Sequence, residues 1–475
     1  MSVALALDIG TSTLKSSLID DSGSIRALKT CPSPTISPGI VNPEQVWSHT
    51  ARLIRDTLDS CDDVPDAIIA SGQGDGCWEL GNDGNGRNSL TWNSTHASGV
   101  IDEWERTGVV AQLYRQTGTV IWPGTSAPIL RWLRESHGLR PEDLAAILTA
   151  KDWIDYRLTG VITTDITDAS IPFVNPYTRK LDHDLLDLLE CADFADAIPE
   201  PRRPGSLIGR VDKRASALSG IVQGTPVYLG SLDCVASTRG AGAHAMHDTV
   251  ASLGTTSAVF SLVHEPVPEG KPVGATIVWP EPGLFLRVLG SSSGAQVLEW
   301  FLREFGYHGP RRYLQFWQDV DEAKEHDELF LPFLFGERAP FLAPNATGTF
   351  MGISSRTTRP RLAAAVADGI AFSMRHCLES SGQISDIVLT GGGTSDPHFC
   401  QLIANTLSRP VLVDSNAQLG TIGVASFIPG FEALSHRSVE RTTFTPQGDG
   451  EDAQRRFNRY LESISASLPL WKERK

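Results

Sequence analysis

Apolar positions at the start of the chain fall in two short runs. Ala4-Leu5-Ala6-Leu7 ends at Asp8, a Gly10-Thr11-Ser12 turn follows, and Leu14 to Ile19 leads to Asp20. Two apolar runs joined by a glycine and hydroxyl turn predict a β-hairpin. A related pattern recurs from Val250 to Phe260 around Gly254-Thr255-Thr256-Ser257. The repetition predicts a duplicated α/β fold with a nucleotide between its halves.

Between the hairpins, the spacing over Gln45 to Leu58 predicts an amphipathic helix. Ala67-Ile68-Ile69-Ala70 reads as a buried strand feeding Gly72-Gln73-Gly74-Asp75-Gly76. Helices are predicted at Leu130 to Arg134, at Leu144 to Thr149, and from Lys151 to a C-cap at Gly160. Val227 to Gly230 is a short strand. In the second half, helices are predicted at Gly294 to Phe305 and Pro360 to Ser380. The longer one buries Ala363, Val366, Ala367, Ile370 and Met374. A Pro/Gly-rich loop covers Leu331 to Gly352. The strand Ile387 to Thr390 enters Gly391-Gly392-Gly393, and helices follow at Phe399 to Leu407 and Asp452 to Leu468. A domain boundary near Gly240 to Asp248 divides residues 1–243 from 244–475.

A chain of 475 residues has room for two or three domains. Lys+Arg 41 against Asp+Glu 56 gives a net charge of −15, and no basic run offsets it. That excludes a nucleic-acid surface and favours a small-molecule partner. Seven cysteines without a CxxC pair match a reducing compartment rather than a disulfide framework or zinc site. No basic leader or membrane-length apolar run is present, so the expected location is cytoplasmic, with no membrane partner. The sequence leaves a homodimer open.

Asp8 beside the hydroxyl-rich turn suits Mg²⁺ held through water, because that ion prefers few carboxylates plus phosphate oxygens and waters. Thr11, Ser12 and Lys15 are in reach of a transferred phosphate; a plain turn with a solvated acid is the alternative. Asp233, between a strand and a small-residue helix, suits a base that accepts a hydroxyl proton. It equally suits a helix cap. Gln73 and Asp75 offer an amide and a carboxylate to a polyhydroxylated ligand. Trp78, Trp92, Trp122 and Trp153 are candidates for an apolar sugar face, though most tryptophans are core. Gly391 to Gly393 lets a planar base or ribose approach the backbone, or simply makes a tight turn. No Gly-x-x-x-x-Gly-Lys-Ser/Thr loop exists, which excludes a P-loop enzyme.

Together these segments resemble the FGGY family of carbohydrate kinases, within the actin-like ATPase superfamily. The resemblance runs from Asp8 to about Ser426 and rests on four stretches. They are Leu7 to Ser12, Lys151-Asp152-Trp153 through Asp165 to Ser170, Phe330 to Pro340 with Pro344 to Gly348, and Thr390 to Ser395 with Leu419 to Ala425. The resemblance implies an α/β fold of two actin-like, ribonuclease H-like domains with a nucleotide cleft between them. It further implies ATP- and Mg²⁺-dependent phosphorylation of a small sugar or polyol. Asp233 falls on the catalytic base, and Asp8 (through water) and Asp233 on the metal-associated acids. Thr11, Ser12, Lys15, Gly254, Thr255, Thr256 and Gly294 fall on phosphate contacts, and Gly391, Gly392 and Asp396 on the adenosine region. Gln73, Asp75, Gly76, Trp92 and Asp233 fall on the substrate side.

Departures bear on the substrate. Many pentulose kinases have Trp-x-Asp-x-Arg where this chain has Trp92-Asn93-Ser94-Thr95-His96, lacking the acid and the arginine. Gly72-Gln73-Gly74-Asp75-Gly76 replaces the Gly-Gln-Met-His-Gly of xylulose kinases, and looks closer to erythritol- or L-xylulose-type members. A xylulose-type pentulose is the expected substrate. A polyol such as erythritol, xylitol or glycerol is the alternative, and a non-catalytic sugar-binding regulator a further one.

Overall fold

The computed structural model describes residues 2–472 apart from 268, 270, 271, 324, 325, 383, 415–417, 437–440 and 449. Two compact units emerge. The first comprises Met1–His244, Val263–Leu286 and Gln418–Ser438; the second comprises Ala245–Leu262, Arg287–Ala417 and Val439–Lys475. The first junction falls between His244 and Ala245, and two later segments return to the first unit.

The first unit is built on a six-stranded sheet. Its strands are β1 (Val3–Ile9), β2 (Thr13–Asp20), β3 (Ile25–Pro32), β4 (Ala67–Gly72), β5 (Leu207–Arg210) and β6 (Pro226–Tyr228), in the order β5-β6-β4-β1-β2-β3. The β1-β2 hairpin is antiparallel with Asp8 opposite Lys15, and β4 lies parallel to β1 with Ser71 opposite Asp8. Strand side chains alternate between faces. Val3, Leu5, Leu7 and Ile9 pack with Val46, Trp47 and Ile54 of helix α1 (Pro43–Leu58) and Trp153 of helix α2 (Ala150–Thr159). Ala4 and Ala6 face the opposite core, shared with Ala236 of helix α3 (Asp233–Gly240) and Ile422 and Val424 of a later helix, Leu419–Ala425. Small residues on that face let these helices lie close, which explains the return of the 418–438 segment.

In the second unit, strands β7 (Thr249–Leu253), β8 (Ser257–Val263), β9 (Phe285–Ser291), β10 (Ile387–Thr390), β11 (Val411–Val413) and β12 (Thr442–Phe444) follow the order β9-β8-β7-β10-β11-β12. Again the hairpin β7-β8 is antiparallel and β10 runs parallel to β7. Helix α4 (Ala295–Glu304) follows β9, and the long helix Arg359–Ser380 buries all five apolar positions predicted for it.

One element differs in kind. Leu144–Leu148 is a strand paired antiparallel with Trp78–Gly81, not a helix. A short continuous apolar run has no periodicity to separate the two, and here its Leu144, Ala146, Ile147 and Leu148 are all buried. The loop 331–352 is flanked by a two-stranded ladder, Leu329–Leu331 with Thr349–Met351, and the terminal helix extends over Glu451–Lys472. Among the described residues no helix is long and apolar enough to cross a membrane.

Candidate active site

In the first unit, hairpin register puts Lys15 against Asp8, with Nζ 3.2 Å from Oδ2. Burial raises the Asp8 pKa, and the Lys15 ammonium opposes the rise. The parallel strand β4 delivers Gln73, whose backbone N–H donates to Ile9 O at 2.9 Å. The Thr11 hydroxyl donates to Gln73 Oε1 at 2.9 Å and accepts from Trp92 Nε1 at 2.8 Å. Thr11, expected among the phosphate contacts, is thus wired to two expected sugar residues. Ser12 is exposed, with its carbonyl accepting from Ser33 N at 3.0 Å.

Asp75 sits at φ 56°, a left-handed conformation uncommon outside glycine, and is nearly buried. Its Oδ1 has no hydrogen-bond partner among the described residues. Burial, then the charges of Asp168 and Asp233, push its pKa well above the usual carboxylate range. The adjacent Gly76 N–H donates to Gly124 O at 3.0 Å, which ties the turn down. Behind it lies a small cavity of about 30 Å³, lined among others by Asp75, Ser126, Thr149, Asp152 and Asp168.

A buried charge cluster supports this turn from below. Lys151 Nζ lies 2.7 Å from Asp165 and 2.8 Å from Asp168, and also contacts Asp152; all four side chains are fully inaccessible. The three carboxylates are spaced as metal ligands would be. The lysine ammonium already fills the cationic role among them. Burial lifts the Asp168 pKa to about 8 despite that lysine, and Asp165 and Asp152 add to the rise.

Asp233 is the first residue of α3, and the cap position belongs to Leu232. The residue is half-buried. Burial and the Asp8 charge raise its pKa to about 7, while a hydrogen bond from the Cys234 backbone and the Lys15 charge act the other way. Asp8, Lys15, Asp75 and Asp233 are therefore electrostatic neighbours, although the chain separates them widely.

In the second unit, the β7-β8 tip presents Gly254, Thr255 and Thr256, with Gly254 N–H donating to Thr256 O at 3.0 Å. Both threonines are exposed. Helix α4 docks its start on this turn, since Ala295 N and Gln296 N donate to the carbonyls of Gly254 and Thr255 at 2.9 and 3.1 Å. Gly294 has extended backbone, so its conformation suits any residue. Space decides instead: a Cβ there would lie 2.6 Å from the Thr256 carbonyl carbon.

A cavity of about 840 Å³ opens beside this turn, with Leu298, Tyr313, Leu314, Trp317, Gly392 and His398 in its wall. Gly391 has φ 93°, and a Cβ would meet Leu253 O at 2.6 Å, so only glycine fits; Gly392 faces open space. Trp317 stacks on His398 with ring centroids 5.1 Å apart. Asp396 also borders the cavity, but its carboxylate caps the helix Pro397–Leu407 by accepting from His398 N at 3.0 Å, and accepts from Trp317 Nε1. The cavity's aromatic wall was not legible beforehand. Trp317 lies on an amphipathic helix where an indole looks the same in core or in pocket. Lys151 and its three acids gave no chemical signal either, because their chain spacing does not report a shared cluster.

Each unit thus repeats one device: an antiparallel hairpin, a parallel third strand, and a glycine-rich turn at that strand's end. This duplicated strand–hairpin arrangement defines a two-unit α/β protein. The chain belongs to the FGGY family of carbohydrate kinases, with the N-terminal domain matched over residues 3–240 and the C-terminal domain over 249–427. It is a kinase with an alcohol group as acceptor. It is 26% identical to a probable L-xylulose kinase of Haemophilus influenzae over 97% of this chain and 98% of that one. An erythritol kinase of Brucella abortus is also 26% identical, over 99% and 97%. A ligand-bound xylulose kinase structure from Lactobacillus acidophilus superposes with a TM-score of 0.92 at 24% identity, covering 100% of both chains.

Proposed function

We propose that this kinase transfers the γ-phosphoryl group of ATP to a hydroxyl of a xylulose-type ketopentose, with Asp233 as general base. The observation that carries this is Asp233 itself: a half-buried residue at the start of α3 whose pKa burial and the Asp8 charge raise to about 7. A general base works best with a pKa near the operating pH. Asp233 takes the hydroxyl proton as that oxygen bonds to the γ-phosphorus. The bond to the bridging oxygen breaks, and ADP leaves with its electron pair. The rest is positioning and charge neutralisation. Lys15 and the exposed Thr255 and Thr256 are suited to phosphate oxygens, and the cavity walled by Trp317 and His398 is suited to the adenosine.

Mg²⁺ fits the donor set, which is hard oxygen. Burial, then the Asp8 charge, raises the Asp233 pKa, and a divalent cation held by Asp8 through water and by Asp233 would offset the like-charge part. When bound, it supplies charge neutralisation on the polyphosphate. On the substrate side, Asp75 Oδ1, without a hydrogen-bond partner among the described residues, and the Thr11–Gln73–Trp92 network are suited to sugar hydroxyls.

A polyol acceptor is the second reading. It is favoured by Ser94 and His96, which stand where pentulose kinases have an acid and an arginine and hydrogen-bond each other at 2.9 Å. The test is ADP release from MgATP across ketopentoses, erythritol, pentitols and glycerol, with Asp233→Asn alongside. Fastest turnover with a xylulose, lost in the variant, is expected. Fastest turnover with erythritol or glycerol would replace the substrate, and an unimpaired variant would remove Asp233 as base.

A further inference from the structure

Glu337 follows the ladder strand Leu329–Leu331 and is almost wholly inaccessible. A carboxylate removed from water is costly unless its oxygens are satisfied. Here they are. Oε1 accepts from the Ser292 N–H at 2.9 Å and from its neighbour Arg338 N–H at 2.8 Å. Oε2 accepts from the Ser291 hydroxyl at 2.7 Å. Burial still raises its pKa, and these donors offset the rise.

The serines extend the network in one direction. Ser291 Oγ also accepts from Ser293 N at 3.0 Å and lies 3.0 Å from Ser373 Oγ. Ser293 O accepts from the Ser257 hydroxyl at 2.5 Å, at the base of the β7-β8 tip. Gln296 Nε2 closes the loop onto Ser292 O at 2.7 Å. The next residue is Gly294, packed so tightly against Thr255 and Thr256 that no side chain fits. Hydrogen bonds thus run from the buried carboxylate through Ser291–Ser293 to the Ser257 hydroxyl, next to Thr256, and to Gln296, whose N–H donates to Thr255 O at 3.1 Å.

We propose that Glu337 is a positioning residue for nucleotide phosphate recognition, acting through the Ser291–Ser293 loop and Gly294 on the Gly254–Thr256 turn. The proposal rests on the reading that this turn receives the phosphates. Glu337 touches no ligand; it fixes the backbone that does. Preorganised donors need such support, because small misplacement of a binding turn weakens every contact it makes.

The experiment measures steady-state ATP and sugar KM values and calorimetric ADP affinity for Glu337→Ala, Glu337→Gln, Ser291→Ala and Gly294→Ala. Glu337→Ala strands three buried donors and should raise the ATP KM about tenfold or more, with the sugar KM within about twofold. Glu337→Gln should stay within about threefold, because its Oε1 still accepts both N–H groups and its amide can donate to Ser291 Oγ. Ser291→Ala, a gentler change, should fall between them and keeps the question answerable if the alanine at 337 does not fold. Hydrogen exchange at residues 254–257 should quicken in step with the ATP KM. Glu337→Ala with an unchanged ATP KM, or with both KM values rising together, would overturn the positioning role. Gly294→Ala separates the two layers: if it leaves the ATP KM unchanged, the phosphate reading of the turn fails and the proposal with it.

Discussion

The two hairpins share a topology and differ in what they carry. At the β1-β2 tip, strand register pairs Asp8 with Lys15, and the parallel strand ends in Gln73 and Asp75. At the β7-β8 tip, the corresponding register pairs Ser252 with Ala258, and the parallel strand leads into Gly391 to Gly393. The first is charged, and its acids perturb one another. The second has uncharged residues at its tip and relies on backbone groups, hydroxyls and close glycine packing, with the buried Glu337 set behind. One scaffold can thus serve proton transfer at one copy and grip at the other. Substitutions at Asp75 and Asp233 should act on the sugar or kcat, those at the second tip on the nucleotide.

The sharpest break of that contrast is Asp233→Asn. It should lower kcat by about 10²- to 10⁴-fold, the usual worth of a general base, while ADP affinity by calorimetry stays near the parent value. Equal losses in both would erase the division of labour. Next is Asp75→Ala, which removes a buried carboxyl with an unused oxygen. Losing a hydrogen bond of that kind should raise the sugar KM about 10- to 100-fold and leave the ATP KM alone; an unmoved sugar KM removes Asp75 from the substrate.

A pH profile tests the electrostatics of the charged copy. As the proposed base, Asp233 acts deprotonated, so kcat/KM should fall as pH drops through about 7. Asp8→Asn removes a like charge that raises the Asp233 pKa, so the acid limb should move to lower pH. A shift of about half a unit to one unit is expected, together with a lower plateau. A limb that stays put would mean the two acids do not interact. The smallest effect belongs to the second copy. Asp396→Ala loses a helix cap, worth about 1 kcal/mol in denaturant unfolding. A larger effect on ADP affinity than on stability would show that Asp396 meets the nucleotide directly rather than through Trp317.

Much of the scaffold could be read from the chain because its signals are local. Both hairpins, α1, α2 with its Gly160 cap, and the helix Arg359–Ser380 follow from periodicity and turn chemistry within a few residues. The strand Leu144–Leu148 did not, since a short apolar run with buried neighbours on both faces carries no period. Likewise Asp8 and Asp233 were visible as candidate acids at strand ends. That burial and the Asp8 charge together would raise the Asp233 pKa was not, because the interaction joins residues far apart in sequence.

By itself, the sequence determined the duplicated hairpin pattern, the family, and the acids and glycines available for chemistry. Tertiary structure alone decided which of them meet. It tied Thr11 to Gln73 and Trp92, filled the Asp152–Asp165–Asp168 cluster with Lys151, and turned Asp396 into a cap. It also set Glu337 behind the Gly254 turn and lifted Asp233 to about 7. The physical reason is the same throughout. Hydrogen-bond partners, desolvation and charge–charge repulsion depend on distances of a few ångströms through space, and sequence separation carries no record of those distances.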